Sequence, residues 1–226
     1  MKEIALYSYF DKLSIIQFLR TYAIIPMMFV AFEGIDGSGK STITRLVAEM
    51  LRKDGYKVFT THEPTNDKVA SEDLVKYRNV ESYLKLFFSF TEDRFSHQLE
   101  IREHLDKGEI VLCDRYLLSS YAYQGEVIQK IFENRNEAIQ WMIDVSRIIT
   151  VKPELNFLLD IDPVIALERI SERKRITSFE DLGYLRSVRD FYTSLSSRET
   201  ILIDASRSTK EVTEDVYKIL RSRITQ

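Results

Sequence analysis

The chain is poor in the residues that would tie it into a small secreted scaffold. It has a single cysteine, Cys113, so no disulfide can form within it. That cysteine sits in the apolar run IVLCD, where a small buried thiol is expected, and the lack of a disulfide framework fits a reducing cytoplasm. Prolines number four and glycines seven, and no stretch is rich in either, so no linker, repeat or low-complexity tract divides the chain. An excess of basic charge is missing too. The 32 Lys and Arg residues face 35 Asp and Glu for a net charge of -3, which leaves no positive field to grip a nucleic-acid backbone. A nucleic-acid polymer is therefore not an expected partner, whereas a nucleotide needs only local positive charge. Long hydrophobic runs are also lacking. AIIPMMFVAF, Ala23 to Phe32, is about half of what a membrane-spanning helix requires. It follows Arg20 and Thr21 with no small-residue cleavage site, so neither a membrane span nor a signal peptide is read there.

What is present is an ordinary globular balance, 44% hydrophobic and 30% charged, in a length that suits one sizeable core. Short apolar runs alternate with helical periodicities, the pattern of a parallel sheet covered on both faces. MFVAFE reads as the first strand, and TITRLVAEMLRKDG as a helix that stops at Gly55. YKVFTTHEP reads as a second strand ending at Pro64, followed by an aromatic-rich helix over 81–107. EIVLCDRY, LNFLLDID and ETILIDAS supply the remaining strands. Asp162 and Pro163 start one helix, and the capping box Ser208-x-x-Glu211 starts the last, with Val212, Val216, Ile219 and Leu220 on one face. Residues 27–226 are expected to form a single α/β domain. Residues 1–26 could form a short amphipathic helix or precede a true start at Met27 or Met28, and they carry no assigned role.

The first strand runs into Gly34-Ile35-Asp36-Gly37-Ser38-Gly39-Lys40-Ser41, which satisfies G-x-x-x-x-G-K-[ST]. Glycines allow the backbone to turn its N–H groups inward as an anion nest, and the following helix aims its positive end at the same place. Lys40 is placed to reach the β and γ phosphates of a nucleoside triphosphate, and the Ser41 hydroxyl to ligate Mg²⁺. The loop lies between a predicted strand and a predicted helix, as that mechanism requires. No N-K-x-D element follows, which disfavours a GTPase, and a motor or helicase would be longer and more basic.

A second cluster, DRYLLSSYAYQG, follows the third strand at Asp114 to Gly125, at the strand end where open α/β sheets bind ligands. Asp114 suits a carboxylate that organises Mg²⁺ and its waters, and Arg115 a fork for phosphate oxygens. A structural Asp114–Arg115 pair is the simpler alternative for those two residues.

Together these segments resemble the thymidylate kinase family. The similarity rests on FEGIDGSGKST, Glu63-Pro64, Phe90-x-x-x-Arg94, DRYLLSSYAYQG, LLDIDPVIALERI and VRDFY, in the family's order from Met28 to the carboxyl end. It implies a P-loop kinase fold: a five-stranded parallel sheet flanked by helices on both faces, with a short arginine-bearing lid at about 170–180. It implies transfer of the γ-phosphate of ATP to dTMP with Mg²⁺, in a cytoplasmic homodimer. A related kinase with another acceptor, or a non-catalytic nucleotide-binding paralogue, are the alternatives.

By the same resemblance, residues from Gly34 to Thr42 bind ATP, and Arg169 and Arg207 lie on the donor side. Asp36 would hold the acceptor's 3′-hydroxyl, and Glu63, Phe90, Arg94, Arg115, Ser120, Tyr123 and Gln124 would line the acceptor site. Phe90 would stack on thymine, and Arg94, one helical turn on, would read the base carbonyl or the phosphate. Family members with a basic residue after the loop aspartate use it in catalysis. This chain has Gly37 there, so the arginine is expected from the lid, as Arg173 or Arg175. His62 stands where many members have an arginine before the EP pair, which weakens the likeness for phosphate binding at that spot. His97, one turn beyond Arg94, reads as a surface or packing residue.

Overall fold

A computed structural model describes residues 28–66, 79–171, 182–195 and 199–225. Strand β1, Met28–Glu33, is the middle of a parallel sheet ordered β2-β3-β1-β4-β5, with β2 at Val58–His62, β3 at Ile110–Asp114, β4 at Leu155–Asp160 and β5 at Thr200–Asp204. The sequence dictates which strand is central. MFVAFE and IVLCD are apolar on both faces, and their Phe29 to Phe32 and Ile110 to Cys113 are wholly buried, as a strand covered from both sides requires. Each buried Phe of this kind stabilises the fold by about 1.5–3 kcal/mol. The strands VFTTH and TILID form the two edges, where Leu202 stays 62% exposed.

Helix α1, Lys40–Lys53, turns Ile43, Val47, Ala48 and Leu51 to the sheet, the i, i+4, i+8 spacing of an amphipathic helix. It ends with the Tyr56 N–H bonded to the Leu51 carbonyl and the Gly55 N–H to that of Arg52, a Schellman stop that aims the chain into β2. Helix α2, Val80–Asp106, starts on an Asn79 cap and stops in the same way at Gly108, before β3. Helices α3, Leu117–Ile128, and α4, Arg135–Val145, follow β3. Helix α5, Pro163–Ser171, begins where Asp162 accepts the Val164 N–H at 2.7 Å, and α6 spans Leu182–Ser194. Helix α7, Thr209–Ile224, carries the expected capping box and buries Val212, Val216 and Leu220.

The observed helix and strand bounds shift by a residue or two from those expected, as fraying ends do; β2 stops at His62 rather than Pro64. Glu63-Pro64 is a cis peptide. All strands are parallel, so the chain segments leaving β1, β2 and β3 emerge at one end of the sheet, and that end holds the site.

Candidate active site

The loop after β1 is closed by the Ser38 N–H on the Ile35 carbonyl at 3.2 Å, with Ile35 and Ser38 buried beneath it. Gly37 has φ +81°, and a Cβ there would lie 2.4 Å from the Ala166 carbonyl oxygen on α5. A side chain at that position would be strained and would meet the backbone of α5. Gly39 precedes α1, and Thr42 lies on its first turn. Lys40 is 6% exposed and donates to the Ile35 carbonyl at 2.9 Å and to Ser38 Oγ at 3.4 Å. Burial, reinforced by the charge of Arg115, pulls its ammonium down to about 8. The lysine is thus a desolvated cation folded back on its own loop, ready to exchange a carbonyl for a phosphate.

Ser41 Oγ donates to Asp114 Oδ2, while Asp114 Oδ1 is buried with no hydrogen-bond partner among the described residues. A hydroxyl beside a carboxylate with a spare oxygen is the hard-oxygen donor set that hydrated Mg²⁺ prefers, so these residues fit the ion. The Asp114–Arg115 pair does not form; the two side chains diverge. Arg115, at φ +74°, donates from Nη2 to Asp36 Oδ1 and from Nη1 to Ser119 Oγ at 3.2 Å, and its guanidinium lies 5.2 Å from the centre of the Tyr123 ring. Such a φ is unfavourable for a side-chain-bearing residue, and the Arg115 N–H bond to the Phe32 carbonyl at 2.9 Å holds it. The Tyr123 hydroxyl accepts the Asp36 N–H at 2.8 Å and donates to Asp36 Oδ2 at 3.1 Å. Burial opposes ionisation of Asp36, yet the charges of Arg115 and Lys40 hold its carboxyl below the usual range.

Beside this pair opens a cleft of about 230 Å³, walled by Pro64, Tyr83, Leu86, Phe90, Tyr123 and Tyr184. Arg94, 2% exposed, borders it. Its Nε donates to Glu63 Oε2 at 2.6 Å, and Nη2 donates to the Tyr116 carbonyl at 3.2 Å and Ser120 Oγ at 3.1 Å. Nη1 and the Gln124 side-chain oxygen are buried without a partner among the described residues, and both residues line the cleft. An apolar slot edged by an unused cationic donor and an unused amide is built for a flat ring carrying carbonyl and N–H groups. The three neighbouring phenylalanines of α2 divide: Phe87 is core, Phe88 is 51% exposed and Phe90 lines the cleft.

A second cleft, of about 350 Å³, is bordered by Ser41, Thr44, Arg45, His62 and Asp114. Arg115 and Glu63 line both clefts. His62 is exposed at the end of β2, opposite Asp114 in the strand register. Arg169 donates to the Ala205 carbonyl at 3.0 Å, and Arg207 pairs with Asp215 at 2.7 Å, so both bracket the loop after β5 rather than approach the clefts. Arg173 and Arg175 lie outside the described residues, as does most of the expected lid.

Neither Glu33 nor His97 was placed at the site from the sequence. Glu33, wholly buried at the end of β1, accepts the Tyr116 N–H at 3.0 Å and the Ser119 hydroxyl at 2.6 Å, and burial raises its carboxyl. A carboxylate closing an apolar strand directly before the glycine loop was its one visible signal. Of the two readings left open for His97, the structure shows the packing one: it is buried, and its Nδ1 lies 3.0 Å from Glu63 Oε1. Cys113 is the expected inert thiol, donating to the Arg115 carbonyl, with burial pushing its thiol up.

The thymidylate kinase family model matches residues 32–216. A probable thymidylate kinase of Thermoplasma acidophilum is 39% identical over 204 residues, covering 88% of this chain and 98% of that protein. Another, from Picrophilus torridus, is 44% identical over 174 residues, covering 75% of this chain and 82% of its own. With the glycine loop, the Asp36–Arg115 pair and the aromatic cleft at one end of the sheet, this chain belongs to the thymidylate kinase family.

Proposed function

We propose that this chain phosphorylates dTMP with ATP through the residues gathered at the carboxyl end of its sheet, in the reaction that defines its family. The observation that carries this is the position of Arg115, which lines the aromatic slot and is bound to Asp36 of the glycine loop, and so stands between that loop and the slot. The acceptor phosphate is already anionic and needs no base. Catalysis then rests on bringing cations to the oxygens that gain charge. Lys40 takes the donor's β and γ phosphates, and Arg115 the transferred group and the acceptor phosphate. Arg173 or Arg175 of the lid completes the set, since Gly37 brings no cation of its own. Ser41 and Asp114 would hold Mg²⁺, which when bound neutralises phosphate charge.

On the acceptor side the thymine enters between Phe90 and the tyrosines, with Arg94 and Gln124 facing its polar edge and Ser120 fixing the arginine. Asp36 and Tyr123 stand where the deoxyribose would lie, bound to one another at 3.1 Å. Arg169 and Arg207 support the loop beside the adenine. No described helix is long and apolar enough to cross a membrane, and a cytoplasmic enzyme is proposed. A homodimer is proposed as well, supported by Phe88, Phe95 and Leu99, which lie exposed at i, i+7 and i+11 on the face of α2 away from the cleft.

The test is steady-state transfer from ATP-Mg²⁺ to dTMP, dUMP, UMP, dCMP, dGMP and AMP. Preference for dTMP, with dUMP weaker, is the expected result. Preference for another monophosphate would keep the kinase and overturn the slot's assignment, and ATP binding without transfer to any acceptor would leave only a nucleotide-binding protein.

A further inference from the structure

We propose that His97 is a positioning residue that aims Arg94 at the acceptor base by withholding one oxygen of Glu63. The inference rests on Arg94 reading that base. His97 is 3% exposed and sits one turn beyond Arg94 on α2. Its Nδ1 donates to Glu63 Oε1 at 3.0 Å, since a carboxylate paired to an arginine accepts, and its Nε2 lies 2.8 Å from Thr61 Oγ1 on β2. With Oε1 held by the histidine, Glu63 meets Arg94 through Oε2, bound to Nε alone at 2.6 Å.

The same molecule shows what an arginine does with a carboxylate that, among the described residues, no third group holds. Arg189 grips Asp160 with two parallel bonds, Nε to Oδ1 at 2.6 Å and Nη2 to Oδ2 at 2.7 Å. That bidentate fork is the usual preference of the pair. At Arg94 that fork is absent: the histidine holds Oε1, and Nη2 bonds the Tyr116 carbonyl and Ser120 Oγ, two groups fixed on the chain after β3. These anchors, from the residue after β2 and from the start of α3, set the guanidinium plane, and Nη1 is left as a donor without a partner among the described residues. Without His97, Glu63 is free to rotate into the two-pronged fork, drawing Nη2 off Ser120 and turning the plane. Thr61 keeps the imidazole from following. The imidazole thus acts through Glu63 and Arg94 and touches no substrate.

The test compares His97→Leu, His97→Asn and Arg94→Lys in the full chain, measuring KM for dTMP and for ATP separately, with thermal melts as the check on folding. Asparagine keeps a donor near the place of Nδ1, and leucine does not. His97→Leu should raise the dTMP KM about tenfold, the scale of one lost charge-assisted hydrogen bond, with the ATP KM unchanged and His97→Asn within about threefold of wild type. If the leucine variant does not fold, Thr61→Val frees the ring from its outer side and should raise the dTMP KM alone. An unchanged dTMP KM in His97→Leu or, failing that variant, in Thr61→Val would overturn the inference. So would equal rises in both KM values, or an asparagine variant no better than the leucine one. Arg94→Lys reports separately: if it leaves the dTMP KM unmoved, the reading of Arg94 itself fails.

Discussion

Lys40 carries the most direct consequence of burying a charge. Burial pulls its ammonium down to about 8 in the ligand-free protein, and the unfolded chain would hold that proton to its ordinary 10.5. Below about pH 8 the buried cation is an unfavourable term. As pH rises from about 8 towards 10.5 the folded state sheds the proton first, so this group's share of stability improves. Function runs the other way. Phosphate needs the charged form, so above about pH 8 ATP binding must take up a proton, and affinity should fall by up to about tenfold per pH unit. The ATP KM measured from pH 7 to 9.5 is expected to bend upward in the wild type and to stay flat in Lys40→Arg. Asp36 has no such switch near neutrality, because Arg115 and Lys40 keep it ionised against the cost of its burial.

At the scale of elements, the site depends on how closely α3 and α6 approach. Gly125, on α3, has no side chain, and a Cβ there would meet the Phe191 ring at 2.9 Å and Met142 Sδ at 3.3 Å. Gly125→Ala gains about 1 kcal/mol of helix propensity, but overpacking costs about 1–3 kcal/mol. A net loss of about 1 kcal/mol is expected, visible as a Tm lower by about 2–4 °C in a melt. The dTMP KM should rise with it, because α3 carries Ser120, Tyr123 and Gln124 to the cleft. The elements themselves were largely legible. Apolar runs on both faces marked the central strands, and Asp162 and Ser208 marked two helix starts. The fates of Phe87, Phe88 and Phe90 followed less easily, since three neighbouring aromatics share a composition and only the packing of α3 and β3 around α2 tells core, surface and cleft apart.

For the whole molecule, the apolar face of α2 makes the proposed dimer testable. Phe95→Glu puts a charge on a residue 47% exposed and remote from the cleft. In size-exclusion chromatography with light scattering the wild type should run as a dimer and the variant as a monomer; a monomeric wild type would remove the proposal. What the sequence alone determined is whatever depends on neighbours along the chain. The glycine loop, the strand–helix alternation and the identities of Lys40, Asp114 and Arg115 all lie within short segments whose spacing carries the chemistry. What only the tertiary structure decided are the partners brought from far apart. Arg115 passes over its neighbour Asp114 for Asp36, 79 residues away, and Glu63 gathers Arg94 and His97 from 31 and 34 residues away. The buried Glu33 joins Ser119 across 86 residues. Composition gives no sign of such pairings. They arise because parallel strands deliver their ends to one crevice, where buried charges must find partners or bear the cost of desolvation.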